Sequence, residues 1–485
     1  MSGSSGIIRL CREILFDNRI RKRLGCSSGR KSTRNVSSAA ATYTPAKQCS
    51  SIMASPRHGA CRSLMEGLSY STKTMFARTL MTEGACMRSV QILKLCTAAS
   101  QFISPTGADT IVGVYNVKDY AAVGDGQTDN TKAFESTWSA ACAVEGTATI
   151  VIPEGEYLLG PIIFKGPCKG KMVMQVKGQL SASTHLEAYT QNWLDFQYIN
   201  GLVISGGGIF HGQGASAWPY NQCPKTRKCK LLPANLVFSF VTNATISSIS
   251  SIDSKLFHMQ IFESRDITLD SIKISAPGDS PNTDGIHIAD STNIQVSNSV
   301  IGTGDDCISI GPGCTNLTIF NVLCGPGHGI SVGSLGKNAN EKDVSGLTVR
   351  QCTFTGTSNG LRIKTWPSSP SSLKATGFVF EDIIMNNVYN PIIIDQNYCP
   401  YANCPETDPS LVKIKDIKFR NITGTTASPE AIKLVCSKAV PCEGVELNDI
   451  SLKCNGDDEQ AKNMTSTCVH VYGSSNGNVK PDSCI

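Results

Sequence analysis

A chain of 485 residues, 40% hydrophobic and 17% charged, is long enough to bury a large core, as one elongated domain or as two or three compact ones. Its net charge of +5 conceals two unequal parts: residues 1–105 carry 16 basic and 4 acidic side chains, and residues 106–485 carry 28 and 35. The acidic balance of the longer part argues against a basic nucleic-acid binder, and no apolar run is long enough for a transmembrane helix.

In chain order, residues 1–105 come first. The stretch "RIRKRLGCSSGRKSTRNVSSAAATYTPAK" is rich in Arg and Ser and poor in acids, a composition that resembles a transit peptide or a disordered segment. No ordinary secretory signal begins at Met1. The segment from Met87, "MRSVQILKLCTAASQFI", has signal-like apolar character interrupted by Lys94, and an extended translation start is the competing account. Residues 1–105 are expected to be poorly structured, and 106–485 to form the folded domain. Within it, "TKAFESTWSAAC" (Thr131–Cys142) reads as a helix that caps the N-terminal end and shields an open edge.

From about residue 200 the chain repeats. Rows beginning near 202, 244, 267, 294, 317, 347, 378, 417 and 445 place apolar or small residues at i, i+2, i+5 and i+7, with Asn, Asp, Ser or Gly between. Alternation, a polar turn and renewed alternation describe strand–turn–strand, not an amphipathic helix. Each row from 267 to 417 precedes a second alternating stretch: "GIHI", "DCISI", "HGISV", "GLRIK", "PIIID" and "AIKL". Such a unit cannot bury its own apolar face, but units stacked coil on coil bury a continuous core, which is the logic of a parallel β-helix. A β-propeller would need regular four-strand blades with a repeated signature, and these are missing. Loops are expected where the spacing lengthens, between 202 and 244 and between 378 and 417.

The cysteines point to an oxidising compartment. Of 21, 15 lie after residue 105, and the pairs Cys223/Cys229, Cys399/Cys404 and Cys436/Cys442 lack the CxxC spacing of a zinc site. The odd number predicts at least one unpaired thiol. Sequons at Asn243, Asn316, Asn421 and Asn463 agree with secretion, although "N-I-T" also arises from a β-rich pattern.

With the second strands as a ruler, Asp284 precedes Gly285, Asp306 precedes Cys307 and His328 precedes Gly329. Equivalent positions of successive coils stack at roughly 4.8 Å, so these three groups form a ladder. Arg362 and Lys364 lie two apart on one face of a later strand, and His287 holds the position of Arg362 in an earlier coil. Asp305 and Asp306 are neighbours, which in an ordinary strand would face opposite ways. Gly302 and Gly304 allow an irregular turn from which both reach one groove. Singly, "GDD" and "NTDG" are ordinary turns, and an Arg-x-Lys pair is an ordinary solvated face. Three acids, a histidine and two cations meeting after coil alignment are not.

These residues resemble a family. "SPNTDGIHI", "GTGDDCISI", "CGPGHGISVGSLG" and "GLRIKTW" are similar, in order and spacing, to four motifs of the polygalacturonases, glycoside hydrolases with a right-handed parallel β-helix. The similarity runs over roughly 115–485. "VYNVKDYAAVGDGQTDNTKAF" resembles the family's N-terminal start, with Ala122 and Asn130 in place of Gly and Asp. "CGPGHGISVGSLGKN" and "SPEAIKLVCSKAVPC" are most similar to plant exopolygalacturonases. The resemblance implies inverting hydrolysis of α-1,4 linkages between galacturonate units, with a carboxylic acid and a carboxylate roughly 6.5–9.5 Å apart across the scissile bond. It implies that Asp305 is the general acid and that Asp284 with Asp306 positions and deprotonates water. His328 would then orient the acid, Arg362 and Lys364 pair with substrate carboxylates, and Tyr398 stack on a sugar. His287 joins the substrate-binding set. Crowding would keep one of the three carboxyls protonated in mild acid. A Cys307–Cys324 disulfide is implied as well. The loop "CPKTRKCK" either borders one end of the groove and extends its basic strip or is simply solvated. The expected protein is secreted to the cell wall and monomeric, with no cofactor or metal, no nucleic-acid or membrane partner, and a pectic polysaccharide as substrate. Two rivals are a silent pectin-binding β-helix and a calcium-dependent pectate lyase. Whether cleavage is internal or terminal depends on loops.

Overall fold

The structure is a computed structural model that describes residues 111–485 other than 224, 227–228, 402–407 and 456–462. Residues 1–105, with the Arg/Ser-rich stretch and the Met87 segment, lie outside the described residues. So do Arg227 and Lys228 of the expected basic loop.

Every row read from the sequence is a strand: Asn200–Ser205, Thr242–Ser247, Arg265–Asp270, Thr292–Gly302, Thr315–Cys324, Val344–Arg350, Leu373–Val388, Val412–Thr426 and Cys442–Cys454. Each pairs in parallel with the next, one coil on. A propeller is thereby excluded and the chain is a parallel β-helix. The solenoid also begins earlier than the repeat suggested. Ile111–Asn116 pairs with Thr147–Ile152, which pairs with Lys171–Val176 and so on to Asn200–Ser205. In those coils the breaks, "PEG" after "TATIVI" and "KG" after "KMVMQV", lack the Asn, Asp or Ser that marks most of the later rows.

That break has a physical cause. At the break Ser248, Ser271, Asn298 and Asn321 have φ of 51°, 56°, 51° and 52°, and Asn243, Asp266, Asn293 and Asn316, just before each row, have 55°, 58°, 57° and 56°, left-handed turns that short polar side chains tolerate best. The side chains then ladder between coils: Asn293 Nδ2 donates to Asp266 Oδ1 at 2.9 Å and Asn316 Nδ2 to Asn293 Oδ1 at 2.7 Å. Three sequon asparagines belong to such turns, with Asn243 Nδ2 bound to Asn200 and Asn421 Nδ2 to Asp382.

A second sheet carries the chemistry. Its eleven strands, in order, are β1 (Ile162–Lys165), β2 (Leu194–Gln197), β3 (Leu236–Ser239), β4 (Met259–Phe262), β5 (Ile286–Ala289), β6 (Ile308–Ile310), β7 (Ile330–Leu335), β8 (Asn359–Thr365), β9 (Asn390–Asp395), β10 (Glu430–Val435) and β11 (Thr465–Val469). Alternation sends one set of side chains inward. Ile286, Ile308, Ile330 and Leu361 form one buried column, and Ile288, Ile310, Val332 and Ile363 form a second. Each such side chain contributes about 1.5–3 kcal/mol by leaving water, so the columns fix the register. Register then decides what faces outward.

The helix α1 spans Thr131–Cys142, with Ala133, Phe134, Thr137, Trp138 and Ala141 buried on one face. Trp138 packs on Phe164 and Phe196, with ring centroids 5.0 and 6.1 Å away, and its Nε1 donates to Lys165 O. A Cys142–Cys168 disulfide ties the helix end to the next coil. Asn130, a departure from the resembled pattern, is buried. Its Nδ2 donates to Val123 O and Thr128 O while its Oδ1 accepts Val123 N–H, donations an Asp carboxylate cannot make.

Candidate active site

Asp305 and Asp306 occupy a bend just before β6, not the strand itself, so alternation does not separate them. Gly304 is required there for room: a Cβ would lie 2.0 Å from Ser280 O of the neighbouring coil. The sequence expectation was a glycine chosen for unusual dihedral angles; at Gly304 the structure gives close packing of turns as the reason instead. Gly327 meets both needs, with φ of 148° and a Cβ position 2.7 Å from Asp305 O.

The ladder forms as the coils dictate, since Ile286, Ile308 and Ile330 are in register and Asp284, Asp306 and His328 each stand two residues before them. Asp305 is 19% exposed. Its Oδ1 accepts the Asp306 N–H at 2.8 Å and pairs with His328 Nδ1 at 2.9 Å, and its Oδ2 accepts Asn282 Nδ2 at 3.3 Å. The His328 N–H donates to Asp305 O at 2.7 Å, which fixes the imidazole relative to the carboxyl. A Cys307–Cys324 disulfide braces the bend.

Asp306 is only 2% exposed, and its environment differs from what the sequence suggested. Arg362 Nη2 donates to its Oδ1 at 2.7 Å, Lys364 Nζ to its Oδ2 at 2.9 Å and Ser331 Oγ to its Oδ1 at 2.7 Å. Arg362 Nε binds Ser331 Oγ at 2.8 Å. Both cations project from β8, two coils along, so they reach back about 10 Å of rung spacing to grasp one carboxylate. Pairing with substrate carboxylates is the role expected of them from sequence; in the structure both neutralise Asp306. Burial opposes its charge, but Lys364 and Arg362 outweigh burial and hold the carboxyl down at about 2.

Asp284, 7% exposed, shows the opposite behaviour. Burial, reinforced by the charges of Asp305 and Asp306, raises its carboxyl well above the usual range, despite a hydrogen bond with Ser309. The crowding expected from sequence is felt by Asp284, because Arg362 and Lys364 bind Asp306 directly while the opposing pull of Lys364 on Asp284 is the smaller effect. Asp305, Asp306 and His328 each present an atom within 4.8 Å of the others, a separation a metal can bridge. Both Asp306 oxygens already face cations, however, which does not fit a cation site.

His287 faces outward on β5, in one column with Ser309, Ser331 and Arg362. Its ring stacks on Phe257 at 4.7 Å, and its Nδ1 lies 2.8 Å from Ser309 Oγ. Burial lowers its pKa to about 4, so the ring is neutral above that pH. Tyr398 follows β9. Its ring lies 5.3 Å from Lys364 Nζ and edge-on to Trp366 at 5.8 Å, and burial raises its phenol. Asn282, Ser309 and Ser331 complete the site and were not singled out from sequence, because small polar residues in turns and strands carry no signal until their neighbours are known.

The sequence pattern of the family described as "Glycosyl hydrolases family 28" matches residues 142–471. The chain belongs to glycosyl hydrolase family 28. It is thus a glycosidase, and the family 28 relatives are close over most of the domain. An exopolygalacturonase of Platanus acerifolia is 45% identical over 377 residues, 77% of this chain and 98% of its own. An exopolygalacturonase of Zea mays is 44% identical over 374 residues, 77% and 90% of the two chains. A polygalacturonase of Gossypium hirsutum is 47% identical over 369 residues, 76% and 89%. Among solved structures, endo-xylogalacturonan hydrolase from Aspergillus tubingensis superposes with a TM-score of 0.62 at 23% identity, over 75% of this chain and all of the other. Polygalacturonase from Erwinia carotovora gives 0.61 at 20%, over 77% and 99%, and both likenesses speak to the fold.

The disulfides Cys223–Cys229 and Cys436–Cys442 are present, with Cys468–Cys484 in addition. Cys399 is disulfide-bonded, and Cys404, its expected partner, lies outside the described residues. Cys314 and Cys352 are buried free thiols, which meets the expectation of at least one unpaired thiol. Among the described residues no helix is long and apolar enough to cross a membrane.

Proposed function

We propose that this family 28 enzyme hydrolyses α-1,4-galacturonosyl linkages of polygalacturonan with inversion, releasing residues from a chain end. The observation that carries the reading is the division of labour among three carboxyls. Asp306 is pinned as an anion, Asp284 favours its proton, and Asp305 is the most exposed of the three, held between His328 and Asn282. Inversion needs one proton between an acid and a base. The reactive form has that proton on Asp305 Oδ2, from which it passes to the glycosidic oxygen as the bond to the leaving sugar breaks. Asp284 is then ionised, and the burial that makes it hold a proton tightly makes it a strong base towards the attacking water. Asp306, neutralised by two cations, orients water and is a weak base.

Arg362 keeps an Nη1 and Lys364 keeps donor hydrogens beyond those given to Asp306, and these face an anionic sugar carboxylate in the trough. Tyr398 lies against the cations and offers a ring face to a sugar. Neutral His287 serves as a hydrogen-bonding contact on the groove floor. Terminal cleavage is supported by the printed names of the maize and plane-tree relatives. The disulfides support folding in an oxidising compartment and secretion to the wall, where a pectic polymer is the partner. The enzyme acts as a monomer and off the membrane, and no step of the mechanism requires a metal or cofactor.

The test is digestion of polygalacturonate by the full chain, with early products sized and the Asp305→Asn variant run alongside. Monomeric product with no unsaturated ultraviolet-absorbing end, unaffected by chelator, and a dead variant support the reading. Unsaturated ends would mean a lyase, mixed oligomers would mean internal cleavage, and turnover by Asp305→Asn would overturn the acid assignment.

A further inference from the structure

The long interval between the rows at 202 and 244 contains the segment 212–235, whose described residues are pinned to the coils beside the acids. Lys255 Nζ donates to Gly212 O at 2.5 Å, and Trp218 Nε1 donates to Ser254 O at 3.0 Å. The third pin is Asn221, buried at the end of the short helical turn Trp218–Tyr220. Its Oδ1 accepts the Cys223 N–H at 2.9 Å, and its Nδ2 donates to Pro281 O at 3.4 Å and to Asn282 Oδ1 at 3.1 Å.

Two of those partners have no choice of role. A backbone N–H only donates and a backbone carbonyl only accepts, so Cys223 and Pro281 together fix which end of the Asn221 amide points where. With Nδ2 of Asn221 facing Asn282, the Asn282 side chain must present its oxygen to that side. Its Nδ2 is left to face Asp305 Oδ2. The orientation of a backbone pair is thus passed through two amides to the carboxyl.

We propose that Asn221 is a positioning residue for Asp305: it locks the Asn282 amide with nitrogen towards the carboxyl. This rests on Asp305 being the acid. A donor on Oδ2 occupies one lone pair and leaves the other, facing the trough, as the place where the transferable proton sits. A reversed Asn282 would present an acceptor, and the proton would turn from the glycosidic oxygen towards the amide. The other charged and titratable groups facing Asp305 are His328 on Oδ1, Asp284 on the preceding coil, Asp306 with Arg362 and Lys364 behind it, and Tyr398.

The experiment compares Asn221→Asp and Asn221→Ala with the wild-type full chain on polygalacturonate, measuring kcat and KM against pH together with Tm. Aspartate accepts where Asn221 donated, so Asn282 reverses. We expect kcat to fall about 3- to 10-fold, the effect of one hydrogen bond. The alkaline limb of kcat should move to higher pH, because an acceptor favours the protonated acid. KM should stay within about twofold. Alanine frees the amide and should move the limb the same way by less, and it guards against an aspartate variant that does not fold. A lowered Tm or raised KM with the wild-type limb retained would make Asn221 a loop anchor only and overturn the proposal. Asp305→Asn separates the two levels: if it is dead while both Asn221 variants keep the wild-type limb, the relay alone fails. If it turns over, the acid assignment fails and takes the relay with it.

Discussion

Asp284→Asn should make the protein more stable, and by an amount that grows with pH. Asp284 is 7% exposed, and burial followed by the charges of Asp305 and Asp306 raises its carboxyl well above 3.8. The folded state therefore binds this proton more tightly than the unfolded chain does. Stability from the group is full below the unfolded value and is lost as pH rises through the folded one. Within that window the loss is about 1.4 kcal/mol per pH unit. Asparagine is nearly isosteric and has no charge to bury, and it removes the repulsion of two neighbouring carboxylates, so its stability lacks this slope. Loss of the hydrogen bond with Ser309 adds an offset that does not depend on pH. The assay is paired denaturation of wild type and variant at pH 3.5, 4.5, 5.5 and 6.5 in matched ionic strength. The gap should widen by about 1.4 kcal/mol for each unit above pH 4 and then level off at the folded pKa. Parallel curves, or a gap that narrows, would refute the claim that Asp284 sits in the fold as a carboxyl unwilling to ionise. The cost of function would then lie elsewhere in the cluster.

Asp306→Asn should do the reverse. It leaves Arg362 and Lys364 buried without their shared counter-ion and should cost about 3–5 kcal/mol, read as a lower denaturation midpoint at pH 6. Because Asp306 is held at about 2, the loss should shrink as pH falls from 4 towards 2, where the wild type also gives up this charge. Arg362→Ala and Lys364→Ala should raise KM for polygalacturonate and also lower stability, since each removes a partner of a buried carboxylate; a pure KM effect with an unchanged melt would contradict the ion pairs. Cys314 and Cys352, whose thiols burial pushes up to about 12 and 11, should resist alkylation in the native protein at pH 8 and label on unfolding, as site-resolved mass spectrometry can show.

The sequence by itself determined the coil. Apolar residues at i, i+2, i+5 and i+7 describe strand–turn–strand, and Asn or Asp at the break is what a left-handed turn accepts, as Asn298 and Asn321 demonstrate. The capping helix Thr131–Cys142 was legible for the same local reason, since its apolar face recurs with helical period. Stacking those coils was enough to bring Asp284, Asp306 and His328 onto one edge. The earliest coils escaped notice because their breaks, "PEG" and "KG", carry no Asn, Asp or Ser. What the tertiary structure alone decided is the electrostatics. Which carboxylate receives Arg362 and Lys364, which is left to keep a proton, and which is held by Asn282 depend on side chains reaching across one or two coils. Contacts of that kind are set by burial and by the competition among neighbouring charges, and a linear pattern of residues does not encode either.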